Sequence, residues 1–127
     1  MWSVPIPGER PLYWVGTSKK DILGMPQPVR RAIGLALGVA QQGGKHPGAK
    51  PWKGAGTGVF EIVCRFDTDA FRAVYTVCFK EVIYVLHCFQ KKSPRARKTA
   101  RTDIDLIHDR LKVAQADHER RYGKESS

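Results

Sequence analysis

The chain has 127 residues, a length that favours one domain, and its 42% apolar and 27% charged residues exclude a disordered chain. Lys and Arg outnumber Asp and Glu by 22 to 12, and the net charge of +10 favours a polyanionic partner, above all nucleic acid. The longest apolar run, 32–40, contains two glycines and is too short to cross a membrane. We therefore predict one soluble, cytoplasmic domain over residues 1–127, flexible at 1–10 and 122–127.

Three cysteines, Cys64, Cys78 and Cys88, lie in apolar, strand-like runs. Their odd number and the lack of C-x-x-C spacing argue against a disulfide framework and against a zinc site. No basic start followed by a long apolar stretch opens the chain, so no secretory signal is indicated. We predict buried thiols in a reducing compartment, with no metal and no cofactor.

The first part of the chain is predicted to hold one short strand and two helices. Residues 11–16 favour a strand, Ser18 is typical of a helix N-cap, and a short helix over 19–23 ends near a glycine and a proline. Pro28 suits the first turn of a second helix that runs to about Gln42. Apolar residues recur along this helix at helical spacing and predict one buried stripe, made of Val29, Ile33, Leu37 and Ala40.

The second part is predicted to hold three strands and a last helix. Residues 45–58 are rich in Gly, Pro and Lys and predict a loop. Strands are predicted over 59–66, 71–79 and 82–90, and their connections are short enough only for antiparallel hairpins. A final helix is predicted from about 102 to 121. The order β-α-α-β-β-β-α predicts a compact α+β domain with a small antiparallel sheet, N-terminal helices and a C-terminal helix.

The strongest local signal is the basic segment, residues 91–101, which holds six basic residues and no acidic one. Such charge runs are commonly solvated connectors, but a place directly after a strand gives these charges a rigid base. We predict that the segment binds nucleic-acid phosphates with an affinity that falls steeply as salt rises. The residues predicted to bind RNA are Arg65, Gln90, Arg95, Arg97, Lys98, Arg101 and Lys53.

A second set of residues, on adjacent strands, suits RNA cleavage without a metal. That reaction needs a base for the 2′-hydroxyl proton, an acid for the leaving 5′-oxygen and cations around the transition state. Arginine matches phosphate oxygens with two parallel donors, and histidine titrates near neutral pH. We predict catalytic roles for Arg72, His87, Lys92 and Lys91.

Each of these strand residues also has a structural alternative. Arg65 could neutralise Glu61 on the same face of its strand, and Arg72 could pair with Asp67 or Asp69 across the turn. A histidine in an apolar strand is more often a hydrogen-bonded structural residue than a catalyst. Taken one at a time, these alternatives are the more common outcome.

The strings at 71–77 (Phe-Arg-Ala-Val-Tyr-Thr-Val) and 84–93 (Tyr-Val-Leu-His-Cys-Phe-Gln-Lys-Lys-Ser), with those at 43–47 and 103–107, resemble the phage-derived branch of the RelE/HigB toxin superfamily. The likeness extends over about residues 11–120. It implies a RelE-like fold and the toxin of a type II toxin–antitoxin system. Such toxins cut mRNA in the ribosomal A site and are silenced by a cognate antitoxin, in this branch usually a helix-turn-helix protein.

The resemblance also implies roles for single residues. Arg72 corresponds to the arginine that contacts the scissile phosphate, and Lys92 falls where RelE proper carries a second catalytic arginine. Glu61 and Val63 stand where RelE proper has two strand lysines, so its lysine-based acid–base scheme does not transfer. His87 is then a candidate for the proton-transfer role.

The function expected from these features is that of a ribosome-dependent mRNA endonuclease that inhibits translation. Two alternatives stay open. One is a non-enzymatic relative in the manner of ParE that poisons DNA gyrase, although a pure binder needs no proton-transfer group. The other is an inactive phage relic that binds only its antitoxin.

Overall fold

The computed structural model describes residues 9–91 and 101–123 and has the predicted α+β fold. A five-stranded sheet lies between two N-terminal helices on one face and a long C-terminal helix on the other. None of the helices in the described ranges is long and apolar enough to cross a membrane. The elements in chain order are β1 (Leu12–Trp14), α1 (Ser18–Leu23), α2 (Gln27–Gln41), β2 (Ala49–Pro51), β3 (Val59–Phe66), β4 (Asp69–Thr76), β5 (Ile83–Lys91) and α3 (Arg101–Tyr122).

The sheet is mixed, with the strand order β1-β5-β4-β3-β2. Its centre consists of the two predicted antiparallel hairpins, but β1 runs parallel to β5, where a wholly antiparallel sheet was expected. The second edge strand, β2, lies inside the predicted loop 45–58 and pairs antiparallel with β3. A three-residue strand is too short to show a period of two, which is why the sequence does not reveal it.

The helices on the first face follow the predicted pattern with one correction. Val29, Ile33 and Leu37 are almost fully buried against the sheet, as the stripe predicted. The N-cap of α1 is Thr17 rather than Ser18, and its side chain makes no capping hydrogen bond. Ser18 is instead buried in the first turn, because its hydroxyl donates to the carbonyl oxygen of Val85 at 3.2 Å.

The sheet separates two hydrophobic clusters. On the first face, α1 and α2 pack on the side chains of Ile62, Tyr75 and Val85, among others. On the second face, which we call the α3 face, Ile107 and Ala114 of α3 pack on the opposite side of the same strands. Because both faces of β4 and β5 are covered by helices, these strands are apolar on both sides over much of their length.

A β-bulge in β5 determines which of its residues join the α3 face. Val74 pairs with His87 whereas Tyr75 pairs with Val85, so Leu86 is an extra residue in the ladder. Side chains of a strand alternate between faces, and one extra residue therefore moves all later side chains of β5 to the other face. Without the bulge, the histidine would point toward the N-terminal helices.

The three cysteines are free, but they are not all buried as predicted. Cys88 is buried, and burial raises the pKa of its thiol to about 12. Cys64 is partly exposed, and burial of its thiol raises its pKa as well. Cys78 is exposed, because β4 ends at Thr76 and not at Phe79 as the apolar run suggested.

Candidate functional site

The centre of the candidate site is an ion pair between neighbouring strands on the α3 face. Nη1 of Arg72 on β4 lies 2.5 Å from Oε2 of Glu61 on β3. Their strand register places them diagonally, since Arg72 is opposite Val63 and Glu61 is opposite Val74. The two side chains are only 12% and 10% exposed, so both charges are largely withdrawn from water.

This pair replaces the ion pairs that the sequence suggested. The structural alternatives paired Arg65 with Glu61, and Arg72 with Asp67 or Asp69. The described contacts instead join Arg72 to Glu61, whereas Arg65 is exposed near the end of β3. The reason is geometric, because a side chain on a twisted sheet reaches a diagonal neighbour on the adjacent strand more easily than a turn residue.

The second element of the site is His87, which is only 6% exposed on the same face. Its Nε2 lies 2.8 Å from Oδ1 of Asp103, in the first turn of α3. Its Nδ1 lies 3.5 Å from Nη1 of Arg110, and its ring stacks on Phe89 with 4.5 Å between the ring centroids. Both ring nitrogens are therefore already engaged within the protein.

The residues predicted to bind RNA are distributed over different parts of the surface. Arg65, Lys53 and Arg101 are exposed, and the guanidinium of Arg101 has one contact of 3.6 Å with Asp105. Gln90 is exposed too, but it pairs with a residue of the first face and so points away from Arg72. The bulge in β5, which the sequence does not reveal, places Gln90 on that face.

The remaining predicted site residues belong to the basic segment. Lys91 is the last residue of β5 and pairs with Ala70, two ladder positions beyond the pair that Arg72 forms with Phe89. The others, Lys92, Arg95, Arg97 and Lys98, lie outside the described residues. Their roles remain predictions.

Glu61 is the residue whose importance the sequence did not reveal. It is 7% exposed, although it is an acidic residue in a strongly basic chain. A charged residue at an inward position of a strand is a usable signal, since buried carboxylates are rare unless a cation pairs with them. The sequence placed Glu61 on the same face of its strand as Arg65, but only the register with β4 identified its partner.

Polar contacts at the far end of α3 stabilise the fold. The hydroxyl of Tyr84 donates to Oδ2 of Asp117 at 2.6 Å, and burial together with this bond raises the pKa of Tyr84. The hydroxyls of Tyr13 and Tyr122 lie 3.5 Å apart, and this contact, with some burial, raises the pKa of Tyr122 to about 12. Tyr122 is therefore a protonated phenol at neutral pH and a poor proton acceptor.

Within residues 9–91 and 101–123, no three His, Cys, Asp or Glu side chains group closely enough to hold a metal ion.

Residues 20–112 match the family described as phage-derived protein Gp49-like (DUF891). The chain belongs to this family. The Gp49-like family is toxin-like and of the RelE/HigB type. No curated protein and no solved structure matches the chain significantly. The matched range includes Glu61, Arg72, His87 and both of the α3 residues that contact the histidine, so the whole arrangement lies within the family region.

Proposed function

We propose that this Gp49-like protein is the toxin of a type II toxin–antitoxin system and cleaves mRNA on the ribosome. The observation that carries the proposal is the Glu61–Arg72 pair, a carboxylate and a guanidinium 2.5 Å apart at neighbouring strand positions. The net charge of +10 supports a polyanionic target, and the toxin-like family supports inhibition of growth.

The pair provides two of the functions that RNA cleavage needs. A phosphate of the message competes with Glu61 for the donors of Arg72, because a planar guanidinium binds phosphate oxygens with two parallel hydrogen bonds. The released carboxylate then accepts the proton of the 2′-hydroxyl. The 2′-oxygen forms a bond to phosphorus as the bond from phosphorus to the 5′-oxygen breaks.

The remaining steps require positive charge and a proton donor. Arg72 and Lys92 stabilise the negative charge that develops on the phosphate oxygens. The 5′-oxygen leaves with a proton from a lysine ammonium, for which Lys91, the last residue of β5, and Lys92, the next residue in the chain, are the candidates. The products are a 2′,3′-cyclic phosphate and a free 5′-hydroxyl. The exposed cations Lys53, Arg65 and Arg101, with the rest of the basic segment, hold the RNA backbone.

The decisive experiment compares three variants in a cell-free translation reaction, with the cut sites mapped on the message. Glu61→Gln keeps an oxygen that can accept from Arg72 but cannot take a proton at neutral pH, and we expect cleavage to fall by about 100-fold or more. Arg72→Ala is expected to lose cleavage as well. Arg31→Ala is the matched control, because Arg31 is an exposed arginine of α2 on the other side of the sheet.

The outcomes separate the candidate functions. Full cleavage by Glu61→Gln, with a native circular dichroism spectrum, would remove the carboxylate from the mechanism. Intact messages together with induction of the DNA repair response would favour a gyrase poison. Normal growth with abundant folded protein would favour an inactive relic. As a partner we propose a helix-turn-helix antitoxin, whose co-expression is expected to restore growth.

A further inference from the structure

His87 occupies a closed position between β5 and the start of α3. It follows the bulge residue of β5 directly, and its ring is stacked on Phe89 with an interplanar angle of 15°. The side chain is 8% exposed, whereas that of Asp103, its partner on α3, is 28% exposed. The imidazole therefore faces the first turn of α3.

The partners of the two ring nitrogens define the tautomer of the histidine. A guanidinium has only hydrogen-bond donors, so the Nδ1 atom that faces Arg110 must present its lone pair. The proton of the neutral ring then resides on Nε2, which donates to Oδ1 of Asp103 at 2.8 Å. In this state His87 has no free nitrogen left for the proton of a substrate.

Arg110 is itself held in place from three sides. It donates to the carbonyl oxygen of Leu86 at 3.0 Å and to the hydroxyl of Thr17 at 3.1 Å. Its guanidinium packs against Gly16, where an added Cβ would lie only 2.8 Å from the Cζ and Nε atoms of Arg110. Gly16 also has a φ of +58°, a left-handed conformation that glycine adopts most readily. The contacts therefore connect α3, the bulge of β5 and the turn before α1.

We propose that His87, Asp103 and Arg110 form a clasp that holds the first turn of α3, with the exposed Arg101 at its start, against β5. Lys91, at the end of β5, follows His87 by four residues, and Arg101, at the start of α3, precedes Asp103 by two. The bond between His87 and Asp103 therefore sets the distance between the end of β5 and the start of α3. In this arrangement His87 is a positioning residue and not the proton-transfer group. Its effect on RNA rests on the proposed function, whereas the clasp itself does not.

Two measurements on the full chain test the proposal. The first is amide hydrogen exchange in residues 101–109, and the second is the protein concentration that halves cell-free translation. His87→Ala and Asp103→Ala are expected to accelerate the exchange and to raise the inhibitory concentration, each by about tenfold, because small misplacements of binding groups have effects of this size. Asp109→Ala is the matched control, since Asp109 is an exposed acidic residue within the same range of α3.

The conservative variant His87→Gln distinguishes positioning from proton transfer. The glutamine amide places an N–H near the position of Nε2 and can donate to Asp103, but it cannot exchange a proton at neutral pH. We expect it to restore slow exchange and most of the inhibition, to within about threefold of the wild type.

Two results would overturn the clasp. One is a His87→Gln protein whose α3 amides exchange as slowly as those of the wild type but which inhibits translation no better than His87→Ala. That result would mean that the imidazole of His87 transfers a proton in the reaction. The other is an Asp103→Ala protein whose amides in residues 101–109 exchange no faster than those of Asp109→Ala. If the wild type does not inhibit translation at all, the proposed function fails, but the exchange data still decide whether the clasp exists.

Discussion

The buried ion pair between Glu61 and Arg72 leads to a quantitative prediction about stability. Each side chain is about nine-tenths buried, with exposures of 10% and 12%, so removal of one partner leaves a charge that water solvates poorly. Removal of one partner of a buried ion pair typically lowers the free energy of unfolding by about 3–5 kcal/mol. We expect about 3 kcal/mol for Arg72→Met or Glu61→Met, since some solvent reaches both groups. The double variant is expected to be more stable than either single variant, because two apolar side chains replace the pair without an unpaired charge.

Urea denaturation followed by circular dichroism measures this effect. With a slope of about 1.5 kcal/mol per molar urea, a loss of about 3 kcal/mol lowers the midpoint by about 2 M. The double-mutant cycle then gives the coupling between the two side chains, and Arg31→Met, on an exposed part of α2, is the control for loss of a surface arginine. The reasoning is refuted if each single variant lowers the free energy of unfolding by less than about 1 kcal/mol. It is also refuted if the decrease in the double variant equals the sum of the decreases in the two single variants.

Three further predictions concern contacts outside the ion pair. Gly16→Ala is expected to lower the free energy of unfolding by about 1–3 kcal/mol in urea denaturation. The φ of +58° is strained for alanine, and the new Cβ would lie too close to the guanidinium of Arg110. A decrease of less than about 0.5 kcal/mol would contradict this reasoning. Tyr84→Phe is expected to cost about 1.5 kcal/mol through its bond to Asp117, and an unchanged thermal midpoint would show that the bond contributes nothing. The hydrogen bond from His118 lowers the pKa of Glu81, although some burial opposes this effect. The ionised Glu81 therefore stabilises the folded state at neutral pH, and this stabilisation is lost as the pH falls through the lowered pKa. Between pH 7 and pH 3.5, the thermal midpoint of Glu81→Gln should therefore fall by less than that of the wild type. Equal decreases would show that the ionisation of Glu81 does not contribute to stability.

The sequence alone determined the elements whose patterns are local. The apolar stripe of α2 predicted its buried face, and Val29 and Ile33 have no exposed surface. The short connections between the predicted strands predicted the two central hairpins. The strand string around Arg72 predicted the toxin-like family, which the match over residues 20–112 confirms at that level. All of these signals lie within a few consecutive residues or in one uninterrupted segment.

Only the tertiary structure decided which residues meet. The bulge at Leu86 places His87 on the face of the sheet that carries Arg72 and Gln90 on the opposite face, although both residues were predicted to act on RNA. The partner of Arg72 is Glu61, eleven residues earlier, because the hairpin register and the twist of the sheet bring these two side chains together. A strand has a period of two, so a single extra residue reverses every later position. That reversal depends on pairing with a neighbouring strand, and for this reason the pattern within β5 itself does not show it.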